Sequence, residues 1–262
     1  MKQDRTGNQS DGQAPALELV GLHKRFGETT AVDRLDLVVP GGSFFGLVGP
    51  NGAGKTTTLS MAVGLLRPDA GTARVFGVDV WADPVAAKRL LGVLPDNMAL
   101  PERLTGRELL TYLGLLRGLD RATVAARAEE LLEVLDLLGA ERTMVTDYSA
   151  GMRKKITLAT ALLHTPRLLV LDEPFEAIDP VSAATIRAIL QRFVEAGGSV
   201  VLSSHVMTLV EQVCDHVGVI AGGRLVAAGT LDQVRGGGSL DDAFVRLVGG
   251  HITVEGLSWL AS

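Results

Sequence analysis

Residues Gly49 to Thr57 read GPNGAGKTT, and no other stretch limits so tightly what the surrounding chain can become. Gly49, Gly54, Lys55 and Thr56 meet the G-x-x-x-x-G-K-[ST] spacing, a phosphate-gripping loop that needs a strand before it and a helix after it. Both neighbours are supplied. Ser43 to Val48, SFFGLV, is the apolar run of a buried strand, and Gly54 to Leu66 carries helical apolar spacing. In that setting Gly52 and Gly54 let the backbone fold around an anion, successive N–H groups point inward, and the helix start adds partial positive charge. Lys55 contributes a full charge to the outer phosphates. Thr56 holds the hydroxyl position that suits magnesium, and Asn51 sits where a loop side chain meets a terminal phosphate. Taken alone, these residues also fit a glycine-rich turn that happens to contain Lys-Thr, so motifs elsewhere in the chain must decide between the two.

The chain has 262 residues, 47% of them hydrophobic, which suffices for one large α/β domain or a main domain with a smaller insert. Its net charge is −5, from 25 basic and 30 acidic residues, so no nucleic-acid partner is expected and phosphate binding is local. Cys214 is the single cysteine, which excludes an intramolecular disulfide and a multi-cysteine metal site; its apolar neighbours mark it as a core residue. Residues 1–16 are polar and lack the apolar centre of a signal peptide, so they read as a disordered lead-in and export of the chain is not expected. No run of ~18 apolar residues occurs. The nearest, Ile156 to Leu171, is broken by His164, Pro166 and Arg167, and the chain is not expected to cross a membrane by itself.

From the N-terminal side, Leu17 to Leu22 and Val32 to Val39 alternate like half-exposed antiparallel strands, with Phe26 in a loop between them. That aromatic either packs locally or stacks on a base, and alone it favours packing. Gly71 to Val80 reads as a hairpin around Gly77-Val78-Asp79, and Leu91 to Leu94 as a short strand ended by Pro95. A loop from Asp96 to Leu104 comes next. Thr105 and Glu108 then form a capping box for a helix through Leu116, and Asp120 opens another that ends near Gly139. Two helices without a strand between them suggest a helical insert, packed through Val124, Leu131, Leu135 and Leu138.

Tyr148-Ser149-Ala150-Gly151-Met152 precedes a helix from Arg153 to Leu163. Ser149 is an ordinary N-cap or part of an anion site, and Arg153, Lys154 and Lys155 read as a solvated face. Leu168 to Leu171 is a continuous apolar strand running into Asp172-Glu173-Pro174, which puts two carboxylates at the carboxyl edge of a parallel sheet. Asp172 suits a magnesium shell and Glu173 can orient and deprotonate a water; capping of the next turn is the structural alternative. Asp179-Pro180 starts a helix, and Ser199 to Leu202 delivers Ser203-Ser204-His205 to the same edge. A hairpin through Gly222-Gly223-Arg224, a linker at Gly236 to Gly238 and a short amphipathic helix from Leu240 to Val248 complete the reading.

Together these motifs resemble the ATP-binding cassette ATPases from about Leu17 to Val234, nearly the whole chain. GPNGAGKTT looks like the family's Walker A loop, LLVLDEP its Walker B strand, SAGM its signature loop, Asp179 its D-loop and His205 its switch histidine. The resemblance implies a phosphate-loop α/β core, with a mixed sheet and an antiparallel portion, plus a helical signature subdomain over about 96–165. It implies ATP and Mg2+ as ligands, with Gly49, Pro50, Asn51, Gly52, Ala53, Gly54, Lys55, Thr56 and Thr57 cradling the nucleotide and Phe26 stacking on adenine. Glu173 and His205 become the hydrolytic pair, and Thr56, Asp172 and Asp96 the metal side. Ser149, Ala150, Gly151 and Met152 would complete the site of a second cassette, identical or related. Separately encoded transmembrane permease subunits are the implied partners, at the inner face of the cell membrane, and residues 235–262 form a linker, short helix and tail. The sequence departs from the family twice: Asp96 stands where glutamine is usual, and Ala150 and Met152 replace glycine and glutamine in the signature. Such changes resemble exporter subunits of drug or polysaccharide efflux systems. The alternative is a soluble cassette protein of translation, repair or chromosome maintenance, which would commonly carry paired cassettes or coiled coils.

Overall fold

A computed structural model describes residues 14–96, 100–101, 103–140 and 142–249. The chain runs β1 (Leu17–Phe26), β2 (Thr29–Val39), β3 (Phe44–Val48), α1 (Lys55–Ala62), β4 (Ala70–Val75), β5 (Val78–Asp79), α2 (Pro84–Leu90) and β6 (Leu91–Leu94). Three helices come next without a named strand between them: α3 (Gly106–Leu116), α4 (Arg121–Val134) and α5 (Ala150–Leu162). The chain then returns through β7 (Leu168–Leu171), α6 (Pro180–Glu195), β8 (Ser199–Ser204), α7 (Met207–Val213), β9 (His216–Ala221), β10 (Arg224–Thr230), α8 (Leu231–Arg235) and α9 (Leu240–Val248).

Two sheets result. One has the order β2-β1-β4-β5 and is antiparallel throughout; the other has the order β10-β9-β3-β8-β7-β6. In the second, β9, β3, β8, β7 and β6 are parallel and only β10 runs against its neighbour. Every residue of β3, β7 and β8 is buried, as expected of strands covered on both faces. Alternate side chains feed two cores. Phe44, Val48, Leu169, Leu171, Val200 and Leu202 pack with the helices, while Phe45, Leu47, Leu168, Val170 and Val201 pack with α1 and the antiparallel sheet. Cys214 is buried in the helical core, and burial pushes its thiol pKa up.

Local sequence chemistry sets many of the boundaries. The capping box at Thr105 and Glu108 is fully formed at the start of α3, and Asp120 caps α4 through the Thr123 N–H. Asp179 accepts from the Val181 and Ser182 amides at the start of α6, with Pro180 in the first position. Helix α4 ends at Val134, short of the expected end near Gly139, and Leu138 begins a separate 3-10 turn; of the expected packing residues, Val124 and Leu135 are buried, with Leu131 and Leu138 partly so.

Some expectations need correction. Phe26 is not in a loop but ends β1, paired with Thr29. Ala16, read from sequence as lead-in, is buried and its N–H donates to the Val39 carbonyl. Residues 1–13 and the tail from 250 lie outside the described residues, as do 97–99 and 102 of the Asp96 to Leu104 loop. The helix after the phosphate loop stops at Ala62, short of Leu66.

Candidate active site

Four strand ends meet at one edge. Because β3, β8, β7 and β6 are parallel, Gly49, Ser204-His205, Asp172 and Pro95-Asp96 all leave the sheet on the same side. The loop after β3 is compressed against the rest of the fold. A Cβ at Gly49 would lie 2.4 Å from the Ile220 carbonyl, and one at Gly54 would lie 2.4 Å from the Ala31 carbonyl. Gly52 and Gly54 also adopt positive φ, 79° and 104°, which disfavours any other residue. These glycines are therefore required by the loop's path as well as by anything it binds.

The start of α1 is unusual in this chain. Seven helices open with a side-chain cap from Asp83, Thr105, Asp120, Ser149, Asp179, Thr230 or Ser239. Among the described α-helices only α1 and α7 lack a side-chain cap, and α1 alone opens with a glycine, Gly54. Its first-turn amides, with the helix dipole behind them, are what an external anion needs. Lys55 is buried beside them, its ammonium donating to the carbonyls of Gly49 at 2.8 Å and Pro50 at 3.3 Å.

The acids behind the loop form a hydrogen-bonded group. Asp172 is 5% exposed, and the Ser203 hydroxyl donates to its Oδ1 at 2.5 Å. The same hydroxyl oxygen accepts from the Glu173 N–H at 2.9 Å, so one serine holds both acids. Glu173 Oε1 lies 3.1 Å from His205 Nδ1 and 3.8 Å from Lys55 Nζ. Glu173 itself has a φ of 46°, a left-handed backbone at the strand end that turns its side chain toward this cluster. A carboxylate between a lysine and a histidine beside an anion-binding loop can orient a water and accept its proton.

The other candidate residues are arranged around this group. Asn51 and Thr56 are exposed on the loop and first turn, Thr57 and Gly54 are half-buried, Ala53 is buried, and Pro50 is exposed. Asp96 is exposed just past β6, beside the strand whose Leu94 carbonyl accepts from the Asp172 N–H. Phe26 is 52% exposed on the antiparallel sheet, with the Lys24 ammonium 5.7 Å from its ring centre. Ser149 caps α5, accepting from the Met152 N–H at 3.2 Å, with Ala150 as the first helical residue. A Cβ at Gly151 would stand 3.6 Å from Asp179 Oδ2, so the start of α5 lies beside the start of α6. Hydrogen bonds from the Ser182 side chain and amide hold the Asp179 carboxyl below the usual carboxylate range.

Two residues do more than their sequence context signals. Ser203 reads there only as part of a strand end, and Lys154 as solvated. Lys154 is half-buried and its ammonium donates to the Glu173 carbonyl at 2.6 Å; Lys155 is buried as well. Only Arg153 of the three is exposed, and it braces the preceding loop through the Thr146 and Tyr148 carbonyls.

A metal here would have oxygen donors. Among the described residues no group of three or more His, Cys, Asp or Glu side chains is placed to hold an ion. A single buried carboxylate, Asp172, together with the exposed Thr56 hydroxyl in the first turn of α1, fits an ion that takes most of its ligands from phosphate and water, which is magnesium's habit.

Residues 32–176 match the ABC transporter family. The daunorubicin/doxorubicin resistance ATP-binding protein DrrA of Streptomyces peucetius is 41% identical over 88% of this chain and 70% of its own length. The Nod factor export ATP-binding protein I of Ralstonia nicotianae is 39% identical over 83% of this chain and 68% of its own. A solved structure of the ATP-binding subunit of an ABC transporter superposes with a TM-score of 0.83 at 30% identity, covering 88% of this chain and 99% of that one. The mixed fold, the loop at its sheet edge and these relatives agree: the chain belongs to the ABC transporter family, as an ATP-binding subunit whose hydrolysis drives transport.

Proposed function

We propose that the chain is the ATPase of an exporter of drug-like molecules, working as a pair of cassettes on separate membrane subunits at the inner face of the membrane. The export reading rests on the relatives' names, daunorubicin/doxorubicin resistance and Nod factor export. They give no support to the soluble alternative. Among the described residues no helix is long and apolar enough to cross a membrane. Docking to a membrane subunit is best served by a cleft of about 210 Å³ between the core and the helices after β6, lined by Leu65, Val93, Pro95, Leu113 and Leu163 with Arg117. Its apolar walls suit a short helix, and Pro95 sets it next to Asp96.

The observation that carries the catalytic reading is Glu173 Oε1 between His205 Nδ1 and Lys55 Nζ. In this reading the amides of Gly52 to Lys55 and the Lys55 ammonium hold the ATP phosphates, and Phe26 stacks on the base. Thr56 and Asp172 would hold Mg2+, with Asp96 on its outer side, and the ion would neutralise phosphate charge. Glu173 orients the attacking water and takes its proton, and His205 steadies the carboxylate. Ser149 is exposed beside Gly151, which fits a role in the partner cassette's site and a head-to-tail pair with two-fold symmetry.

Glu173→Gln tests both halves. It should bind ATP normally, hydrolyse it roughly 100-fold or more slowly, and sediment as a dimer with ATP but a monomer without. Turnover within a few-fold of wild type removes Glu173 as the base. A monomer in ATP, with and without membrane subunits, removes the shared site.

A further inference from the structure

Glu173 is held by its backbone as well as its side chain: one backbone contact is local, the Glu176 N–H donating to its carbonyl at 3.2 Å, and two come from different parts of the fold. Its N–H donates to Ser203 Oγ on β8, and its carbonyl accepts from Lys154 Nζ on α5 at 2.6 Å. A residue that continued Leu171-Asp172 in extended conformation would run on along the sheet edge. The φ of 46° instead folds it back, a setting that a residue with a Cβ keeps only when neighbours enforce it. Lys154 is three residues past Gly151 and 19 residues before Glu173, so this contact joins the helix opened by the signature loop to the second residue past the buried strand.

We propose that Lys154 is a positioning residue for hydrolysis: by fixing the Glu173 carbonyl it keeps the carboxylate between His205 and Lys55 and ties that carboxylate to the movements of α5. The inference rests on the reading of Glu173 as the base. Two features favour it over a generic surface contact. The ammonium is half-buried and aimed at one carbonyl, and an ordered lysine gives up considerable side-chain freedom to stay there. Moreover, α5 packs on β6, the strand that precedes Asp96, so a shift of α5 from either the nucleotide side or the groove side reaches Glu173 through one side chain.

The test compares Lys154→Met, which keeps the stem and removes the donor, with Lys154→Arg and with Glu173→Gln. Steady-state ATPase, binding of a fluorescent ATP analogue and thermal melting are measured on each. Lys154→Met should lower kcat roughly ten- to a hundredfold, the rate equivalent of one lost charge-assisted hydrogen bond, while ATP affinity and melting temperature hold. Lys154→Arg should recover most of the rate. The proposal is overturned if Lys154→Met turns over within twofold of wild type, if its ATP affinity falls as much as its kcat, or if arginine does not restore the rate. Should Glu173→Gln itself stay active, the reading of the base fails and this inference fails with it; an inactive Glu173→Gln beside a fully active Lys154→Met overturns only the role of Lys154.

Discussion

Two helix starts, α1 and α5, are the parts of this molecule expected to meet phosphate, and they are built in opposite ways. At α1 the N-cap is Gly54, the first turn has no side-chain cap, and backbone from Ala31 and Ile220 presses on the loop glycines. At α5 the Ser149 hydroxyl already satisfies the Met152 amide, and Gly151 has room around it. The first is a cradle made by the chain's own packing. The second is a finished helix end that is stable without any ligand. A hydroxyl that caps a helix uses a lone pair and keeps its O–H hydrogen, so Ser149 can cap its own helix and donate to a phosphate from another molecule. The difference separates a loop whose glycines the fold itself requires from one whose glycine the fold leaves room to replace, as the proposed pairing of cassettes would use it.

The comparison breaks most directly at Lys55. Lys55→Ala should lower ATP affinity by ~100-fold or more, since the buried loop loses its one full charge, and calorimetric titration would measure it. Near-normal affinity would mean that the α1 cradle does not carry nucleotide binding. A paired substitution sharpens the contrast further. Gly54→Ala should destabilise the fold by ~3 kcal/mol in denaturant titration, because its Cβ meets the Ala31 carbonyl and its φ is left-handed. Gly151→Ala should change stability by no more than ~0.5 kcal/mol yet slow ATPase by roughly tenfold or more. Equal stability losses would erase the distinction between the two starts.

The smallest expected effect lies behind α5, at His164. Burial and the nearby Arg117 and Arg127 charges lower its pKa to about 4, while Nε2 donates to the Leu91 carbonyl. A histidine with a depressed folded pKa takes up its proton first in the unfolded chain. Its neutral form therefore supports the fold fully above about pH 6.5, and that support is lost as pH falls toward about 4. Between pH 7 and pH 5 the wild-type melting temperature should drop by a few degrees more than that of His164→Gln. Parallel curves would show that His164 does not contribute to acid sensitivity.

What is legible in the sequence is local or strictly periodic. The apolar runs of β3 and β7, the capping box at Thr105 and the Asp179-Pro180 start depend on neighbours within four residues, and the fold obeys them. The edge that gathers Gly49, Asp172 and His205 comes from parallel strands, a topological rule applied to short motifs. Helix α2 goes beyond the sequence reading, although Asp83-Pro84 offers the same start signal as Asp179-Pro180. Helix α7 offers none, because Val206 precedes it and no side chain caps it. Lys154 and Ser203 are illegible for a different reason. Their partners lie 19, 30 and 31 residues away, and no period or cap signals that a lysine beside a helix start will turn inward toward a carbonyl.

The burial of Cys214 has a practical side. It is the chain's single thiol, enclosed in the helical core, and its raised pKa leaves almost no reactive thiolate at neutral pH. A cysteine introduced at an exposed position, Val181 near the start of α6 or Met144 before the signature loop, would then take a fluorophore or spin label alone. If the chain pairs as proposed, distances between two such labels, one on each cassette, would test opening and closing in a chain otherwise identical to the natural one, with no background thiol to remove first.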